Sequence, residues 1–172
     1  VQKMMNNELT LLGKSFLTVG AGNIGYLTSY QLVQAGAKVK AIIEAMPKEG
    51  GFPVQANRIR RLGIPVLLSH MVIKAIPNDQ EDGICGVIVA QSQNFQPVPG
   101  TERIVAGIDA INICTGLVSD YALLVKGREM FGHRCFGAGD ALRIGEGTSA
   151  VLRGTQVAYE ILQDLGKPFP YH

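Results

Sequence analysis

The sequence predicts an α/β protein in which a doubly wound parallel sheet is interrupted by an antiparallel β-meander crossover. Three observations carry this: an apolar strand that runs into Gly20-Ala-Gly22-Asn-Ile-Gly25 and then a helix, a series of hairpin-type strands between residues 71 and 105, and one more apolar strand at 108–113. Strand–helix–strand alternation implies parallel pairing, whereas strands joined by short turn-rich segments imply antiparallel pairing.

In chain order, a polar lead precedes Phe16-Leu-Thr-Val19, the first strand. A helix over 23–34 ends at Ala35-Gly36, where Gly is the expected C-cap, and residues 38–43 form the second strand. Residues 47–53 read as a loop carrying Gly50-Gly51, 54–62 as a helix closed by Gly63, and 64–68 as a third, buried strand. Strands at 71–76 and 83–90 flank the turn-rich Pro77-Asn-Asp-Gln-Glu-Asp82, and 101–105 continues them as a three-stranded meander. The apolar strand at 108–113 stops at Cys114-Thr115-Gly116. Beyond it lie a short helix at 121–126, a strand at 134–136, the loop Gly137-Ala-Gly139-Asp140 and an amphipathic helix over 147–165.

Composition narrows the function classes. At 172 residues the chain fits one domain, or one domain with an appendage. Its 47% hydrophobic and 17% charged residues fall short of the roughly 25% charge of an average soluble domain, so some apolar surface calls for a cover that this chain does not supply. A net charge of +2, 6% aromatics and no Trp argue against nucleic acid, and Arg58-Ile-Arg60-Arg61 reads as a solvated helix face. Cys85, Cys114 and Cys135 have neither CxxC nor metal-ligand spacing and read as small buried hydrophobes of a reduced, cytoplasmic protein. No apolar run reaches the 18 or so residues of a membrane span and the polar start is no signal peptide, so no membrane partner is expected. The opening residue, Val1, fits a piece cut from a longer chain.

The chemistry sits in the glycine turn. Alone, a three-glycine pattern is as readily a Gly-rich loop; behind a strand and at the head of a helix it is a dinucleotide-binding turn. Gly20 permits the sharp turn, Gly22 removes the Cβ that would block a pyrophosphate, and Gly25 lets helix and strand pack closely. The anion then rests on free N–H groups at the positive end of the helix. Glu44 closes the second strand about 20 residues on, where an acid accepts hydrogen bonds from the adenosine ribose and repels a 2′-phosphate. That favours NAD(H) over NADP(H).

This order of features resembles the pyridine nucleotide-disulfide oxidoreductase type of FAD/NAD(P)-dependent flavoprotein, in which a Rossmann-like NAD-binding domain is nested in an FAD-binding domain. The matching residues are Val19-Gly-Ala-Gly-Asn-Ile-Gly25, Glu44, the meander, Asn112-Ile-Cys-Thr-Gly116 and Cys135-Phe-Gly-Ala-Gly-Asp140 with the helix after it. Glu44-Ala-Met-Pro47, Gly50-Gly51, Ile59-Arg-Arg-Leu-Gly-Ile-Pro-Val66 and Ser69-His70 look most like the branch related to opine-, sarcosine- and proline-oxidising subunits, while the tail also looks like the end of old-yellow-enzyme-type dienoyl reductases. The resemblance implies an NAD-binding domain at 12–118 and a C-terminal return segment of an FAD domain at 119–172. It implies that Gly20, Gly22, Asn23, Ile24 and Gly25 hold the pyrophosphate, Glu44 the ribose, that Gly116 borders the NAD site, and that Gly139 and Asp140 belong to the flavin site; as a lone motif, Asp140 reads as a helix N-cap or turn Asp.

The departures shape the functional expectation. A complete enzyme of this type carries two glycine turns and this chain has one, and the stretch 127–132 is short for the segment before the Gly-Asp motif. The N-terminal FAD half is therefore expected to come from elsewhere, as a missing half, a partner subunit or a second copy, with FAD bound only in the complete protein. The redox cysteine pair of the disulfide-reducing members is missing, His70 reads as a surface or capping residue, His133 as a loop residue and His172 as terminal. No catalytic residue and no metal ligand is assigned. The leading expectation is an NADH-binding module that works with flavin; the alternatives are a non-catalytic nucleotide-binding or interaction domain, and a glycine turn that holds FAD itself.

Overall fold

In the computed structural model, which describes residues 1–168, the Phe16-Leu-Thr run becomes β1 (Ser15–Val19), flanked on both sides by parallel neighbours. The chain continues through α2 (Asn23–Gln34), β2 (Lys38–Ile43), α3 (Pro53–Arg61) and β3 (Val66–Leu67), all preceded by a one-turn helix, α1 (Gln2–Asn6). An antiparallel group follows: β4 (His70–Pro77), β5 (Ile84–Gln93), β6 (Gln96–Pro97) and β7 (Arg103–Ala106). β8 (Ala110–Ile113) then returns to the parallel sheet, whose order is β3-β2-β1-β8. The fold is thus the expected mixed α/β one, with its meander crossing over before the last parallel strand.

Strand alternation explains the layering. Successive side chains point to opposite faces, so Phe16 and Ile42 meet Tyr26 and Leu32 of α2 and Ile59 of α3, all essentially inaccessible. Leu17, Ala41 and Ile43 face the other way, onto Val87 and Val89 of β5 and Ile108. One face of the sheet is covered by helices and the other by the meander. Each of these large side chains contributes about 1.5–3 kcal/mol through burial, which makes β1 the axis of the core.

Several elements depart from expectation. α1 forms in the polar lead because Val1 and Met5 pack on the helix-side core and Gln2 Nε2 donates to Gln31 Oε1 (3.0 Å). β3 is a two-residue, half-buried edge strand rather than a buried one, because only β2 pairs with it. The thiols are not buried: Cys85 is exposed beside the turn after β4 and donates to the Pro77 carbonyl (3.3 Å), and Cys114 and Cys135 are half-buried.

Contact density divides the chain into Val1–Gly116 and a unit beginning at Leu117. The second unit holds α4 (Ala122–Phe131), 3₁₀ turns at Gly132–Arg134 and Gly139–Ala141, and α5 (Gly147–Asp164). The strand expected at 134–136 does not form. A strand needs a neighbour for its N–H and C=O groups, and among the described residues of this unit there is none. α4 runs to Phe131, well past the expected end at 126, because the helix carries Gly127 within it and the chain turns only at Gly132, φ 59°. His172 lies outside the described residues. Among those described, no helix is long and apolar enough to cross a membrane.

One polar cluster ties the glycine-turn helix to α3. The Tyr26 hydroxyl donates to Glu49 Oε2, and Arg60 pairs with Glu49 Oε1. Hydrogen bonding from Tyr26 and the Arg60 charge hold the Glu49 carboxyl below its usual 4.5, while burial, with Glu49 alongside, pushes the Tyr26 phenol above its usual 10.0. A carboxyl with a lowered folded-state pKa stabilises the fold above pH 4.5 and loses that contribution as pH falls through the folded value; a phenol with a raised one stabilises below pH 10 and loses it above. We expect the Tm to plateau between these limits and fall on both sides. In Glu49→Gln both flanks should flatten, as pH-dependent melts would register; unchanged flanks would mean the cluster contributes nothing.

Candidate dinucleotide site

The site grows out of the C-terminal ends of β1, β2 and β8, where parallel sheets of this kind open a crevice. Gly20, at φ 107°, turns the chain out of β1, and its N–H donates to the Ile43 carbonyl (2.7 Å). A Cβ on Gly20 would strike the carbonyl oxygen of Cys114, and one on Gly25 would fall inside the carbonyl oxygen of Gly20. Both glycines are therefore demanded by close backbone approach. Gly22 differs: a Cβ there meets nothing within 4 Å, and the residue lines the crevice. It is the N-cap of α2, whose first turn has neither a side-chain cap nor an acidic residue.

Beneath the turn lies a buried polar network. Asn112 Nδ2 donates to Thr28 Oγ1 (2.8 Å) and Thr18 Oγ1 (3.3 Å), and Thr18 and Ser29 share a bond of 2.8 Å. Cys114 Sγ, 3.5 Å from both Asn112 Oδ1 and Thr28 Oγ1, carries the network up to the crevice wall. Because buried polar groups are costly unless paired, this network fixes the register of β1, α2 and β8 below the turn.

The crevice has a volume of about 510 Å³, and its wall includes Gly20, Gly22, Glu44, Lys48, His70 and Gly116. Glu44 Oε2 accepts from the Ala21 N–H (2.8 Å) and Oε1 from the Met46 N–H (2.9 Å), so the acid braces the turn from the end of β2. Each oxygen keeps a lone pair for a further donor. Of the remaining residues read from the sequence, Gly25 lies under the turn, Asn23 Oδ1 accepts from the Phe52 N–H (2.7 Å) and so pins the 50–52 loop, and Ile24 is 48% exposed on the outside of α2. Neither Asn23 nor Ile24 is among the crevice-lining residues. Gly139 and Asp140 belong to the second unit, where Asp140 Oδ1 accepts from the Gly145 N–H (3.1 Å) as a turn Asp does.

The crevice wall also holds residues that the sequence does not mark as site residues, among them His70, Lys48, Met46 and Phe95. His70 reads from the sequence as a surface or capping residue, and its Nδ1 does lie 2.7 Å from the Leu68 carbonyl, yet it also lines the crevice. The return of β4 and β5 past the end of β2 brings His70 and Phe95 there, a long-range event without a local motif, whereas Met46 and Lys48 follow Glu44 directly in the chain. No cluster of metal-ligating side chains occurs among the described residues.

No protein-family model matches the chain, and no curated protein does. The structure is similar to thioredoxin reductase from T. acidophilum, at TM-score 0.67 and 22% identity over 90% of this chain and 53% of that one. Thioredoxin reductase from Lactococcus lactis (0.59, 16%, 87% and 52%) and histamine dehydrogenase from Rhizobium sp. 4-9 (0.61, 15%, 98% and 26%) share it. The chain spans about half the length of these reductases and a quarter of that dehydrogenase. With the parallel sheet, the glycine turn and the meander in place, the likeness establishes the Rossmann-type FAD/NAD(P)-binding fold.

Proposed function

We propose that the chain is the NADH-binding module of an FAD-dependent oxidoreductase of the pyridine nucleotide-disulfide type, nearest the opine-, sarcosine- and proline-oxidising branch by the residues quoted from the sequence. The observation that carries this reading is the crevice at the head of α2: an open Gly22 at an uncapped helix N-terminus, with Glu44 at the end of the next strand. The geometry fits a dinucleotide, with backbone N–H groups for the pyrophosphate and an acid for the ribose diol. When bound, the two cofactors supply the chemistry, a hydride passing between nicotinamide C4 and flavin N5. The chain's own residues bind and orient: Gly20, Gly22 and Gly25 shape the cradle, Asn23 holds the neighbouring loop, Glu44 takes the ribose and Gly116 borders the far end.

Gly139 and Asp140 are assigned to the flavin side, completed by an FAD-binding half supplied as further chain, a partner subunit or a second copy. Support comes from the second unit's surface, where Val151, Leu152 and Leu165 of α5 and its C-terminal edge stand exposed. Apolar faces of this kind ask for a cover.

The test is calorimetric titration of the purified chain with NADH, NADPH and FAD. NADH binding without bound flavin supports the proposal; binding of FAD alone would make the glycine turn the flavin site. Glu44→Ala should weaken NADH at least ten-fold and NADPH less, because the loss of ribose acceptors is offset for NADPH by relief of repulsion with the 2′-phosphate. Equal loss of both would mean that Glu44 only braces Ala21 and Met46.

A further inference from the structure

We infer that the β5–β6 hairpin is an adenine clamp: Phe95 stacks on the base of the bound nucleotide, and the pocket behind it receives the base. The inference rests on the proposed nucleotide reading and extends it to an element that the glycine turn does not involve.

The hairpin is placed by backbone bonds that start at the acid. The His70 N–H donates to the Glu44 carbonyl (2.9 Å), the Ser69 N–H to the Met46 carbonyl (2.9 Å) and the Ser92 N–H to the Ser69 carbonyl (2.7 Å). Glu44 and Met46, the β3–β4 connection and the end of β5 thus form one ladder, and the hairpin tip stands beside the residues that follow the ribose acid. A ribose held by Glu44 would hand its base to this region.

The tip is built for a side chain rather than for an easy turn. Gln93 pairs with Gln96 across two residues, Asn94 at φ 51° and Phe95 at φ 59°. Two positive φ values define the tight hairpin turn that favours Asn-Gly. Asn94 suits its position; a phenylalanine in the second is strained, since a bulky residue rarely adopts left-handed backbone. The strained ring is 62% exposed and lines both the crevice and a second cavity beside it. Strain kept at a ligand-facing position points to use.

The second cavity, of about 550 Å³, lies between Ala45, Met46 and Pro47 on one side and residues 92–95 on the other, with Ser69 completing it. No charged side chain lines it, which suits a neutral heteroaromatic ring and not a phosphate. Met46 and Phe95 offer polarisable and aromatic surface at the shared mouth.

The experiment measures the affinities of the whole chain for NADH and ADP-ribose, with Tm, in wild type, Phe95→Gly and Phe95→Trp. Glycine suits the left-handed position, so Phe95→Gly should not lower the Tm, and both ligands should bind about ten-fold more weakly, in the range one aromatic stacked on a base is worth. Phe95→Trp should restore affinity to within about two-fold of wild type. If wild type binds NADH and Phe95→Gly binds it equally well, the clamp is overturned while the proposed function stands. If wild type binds FAD alone, the NADH reading falls and the same variants test the clamp with FAD. A chain that binds none of the three overturns both.

Discussion

Gly25→Ala is expected to abolish dinucleotide binding and lower the Tm by about 10 °C, whereas Gly22→Ala should abolish binding at an unchanged or raised Tm. The two glycines lie three residues apart in one turn, yet different physics demands each. A methyl on Gly25 would fall onto the Gly20 carbonyl oxygen and come close to the carbonyl carbon behind it, while meeting the Cys114 side chain only at ordinary contact distance. The first obstacle is backbone in the same turn and cannot swing aside, so α2 must back away from β1 and pull on the Thr18–Ser29–Asn112 network beneath it. Overpacking of this kind costs about 3 kcal/mol at the upper end of its usual range, which for a unit of this size is roughly 10 °C. Gly22, at φ −87° and ψ 179°, already has backbone that any residue adopts, and its Cβ would stand in open space. Alanine there trims the unfolded chain's freedom and gains about 0.4–1 kcal/mol, but its methyl projects where a pyrophosphate must approach the N–H groups. Thermal melts with parallel NADH titrations separate the cases: a Gly22→Ala chain that binds NADH like wild type would remove the pyrophosphate from this turn.

The contrast also shows what could be read from residues alone. The turn, α2 and the acid at the end of β2 are local: each is specified within a few residues by an apolar run, a glycine or a cap, and α2 lies where its Gly36 stop implies, at Asn23–Gln34. What escaped the sequence is whatever depends on a partner. Arg134-Cys-Phe136 has strand-like residues but, among the described residues of its unit, no strand to pair with. β6 escaped because Asn94-Phe95 lacks the glycine that usually announces a two-residue hairpin, and with it went Phe95 as a crevice residue. Asn23 matches the position of a pyrophosphate contact, yet its side chain is taken by the Phe52 N–H, a loop 29 residues away. Glu44 could be read as a ligand-facing acid but not as the brace of the turn it faces.

Ending the chain after Gly116 should leave a folded protein that binds NADH within about two-fold of the full chain, while the segment from Leu117 onward should not fold alone. The first unit contains both buried clusters, the polar network and every residue that lines the crevice. In the second, neither α4 nor α5 buries a single residue. Isolated helices of 10 and 18 residues are marginal in water, because most helical stability in proteins comes from packing an apolar face. Without that packing, the hydrogen bonds within α5 and the His133–Asp164 contact (3.3 Å) remain solvent-exposed and worth little. Hydrogen exchange on the full chain should therefore show amides of β1, β2 and β5 protected by the global stability of the first unit, and those of α4 and α5 exchanging orders of magnitude faster. If α4 and α5 were as protected as β1, their apolar residues would already be covered, by a second copy of the chain or by the first unit, and the need for a separate FAD-binding half would lose its support. If they are labile, adding that half should protect them, and the size of the change would measure how much of the second unit's fold it supplies.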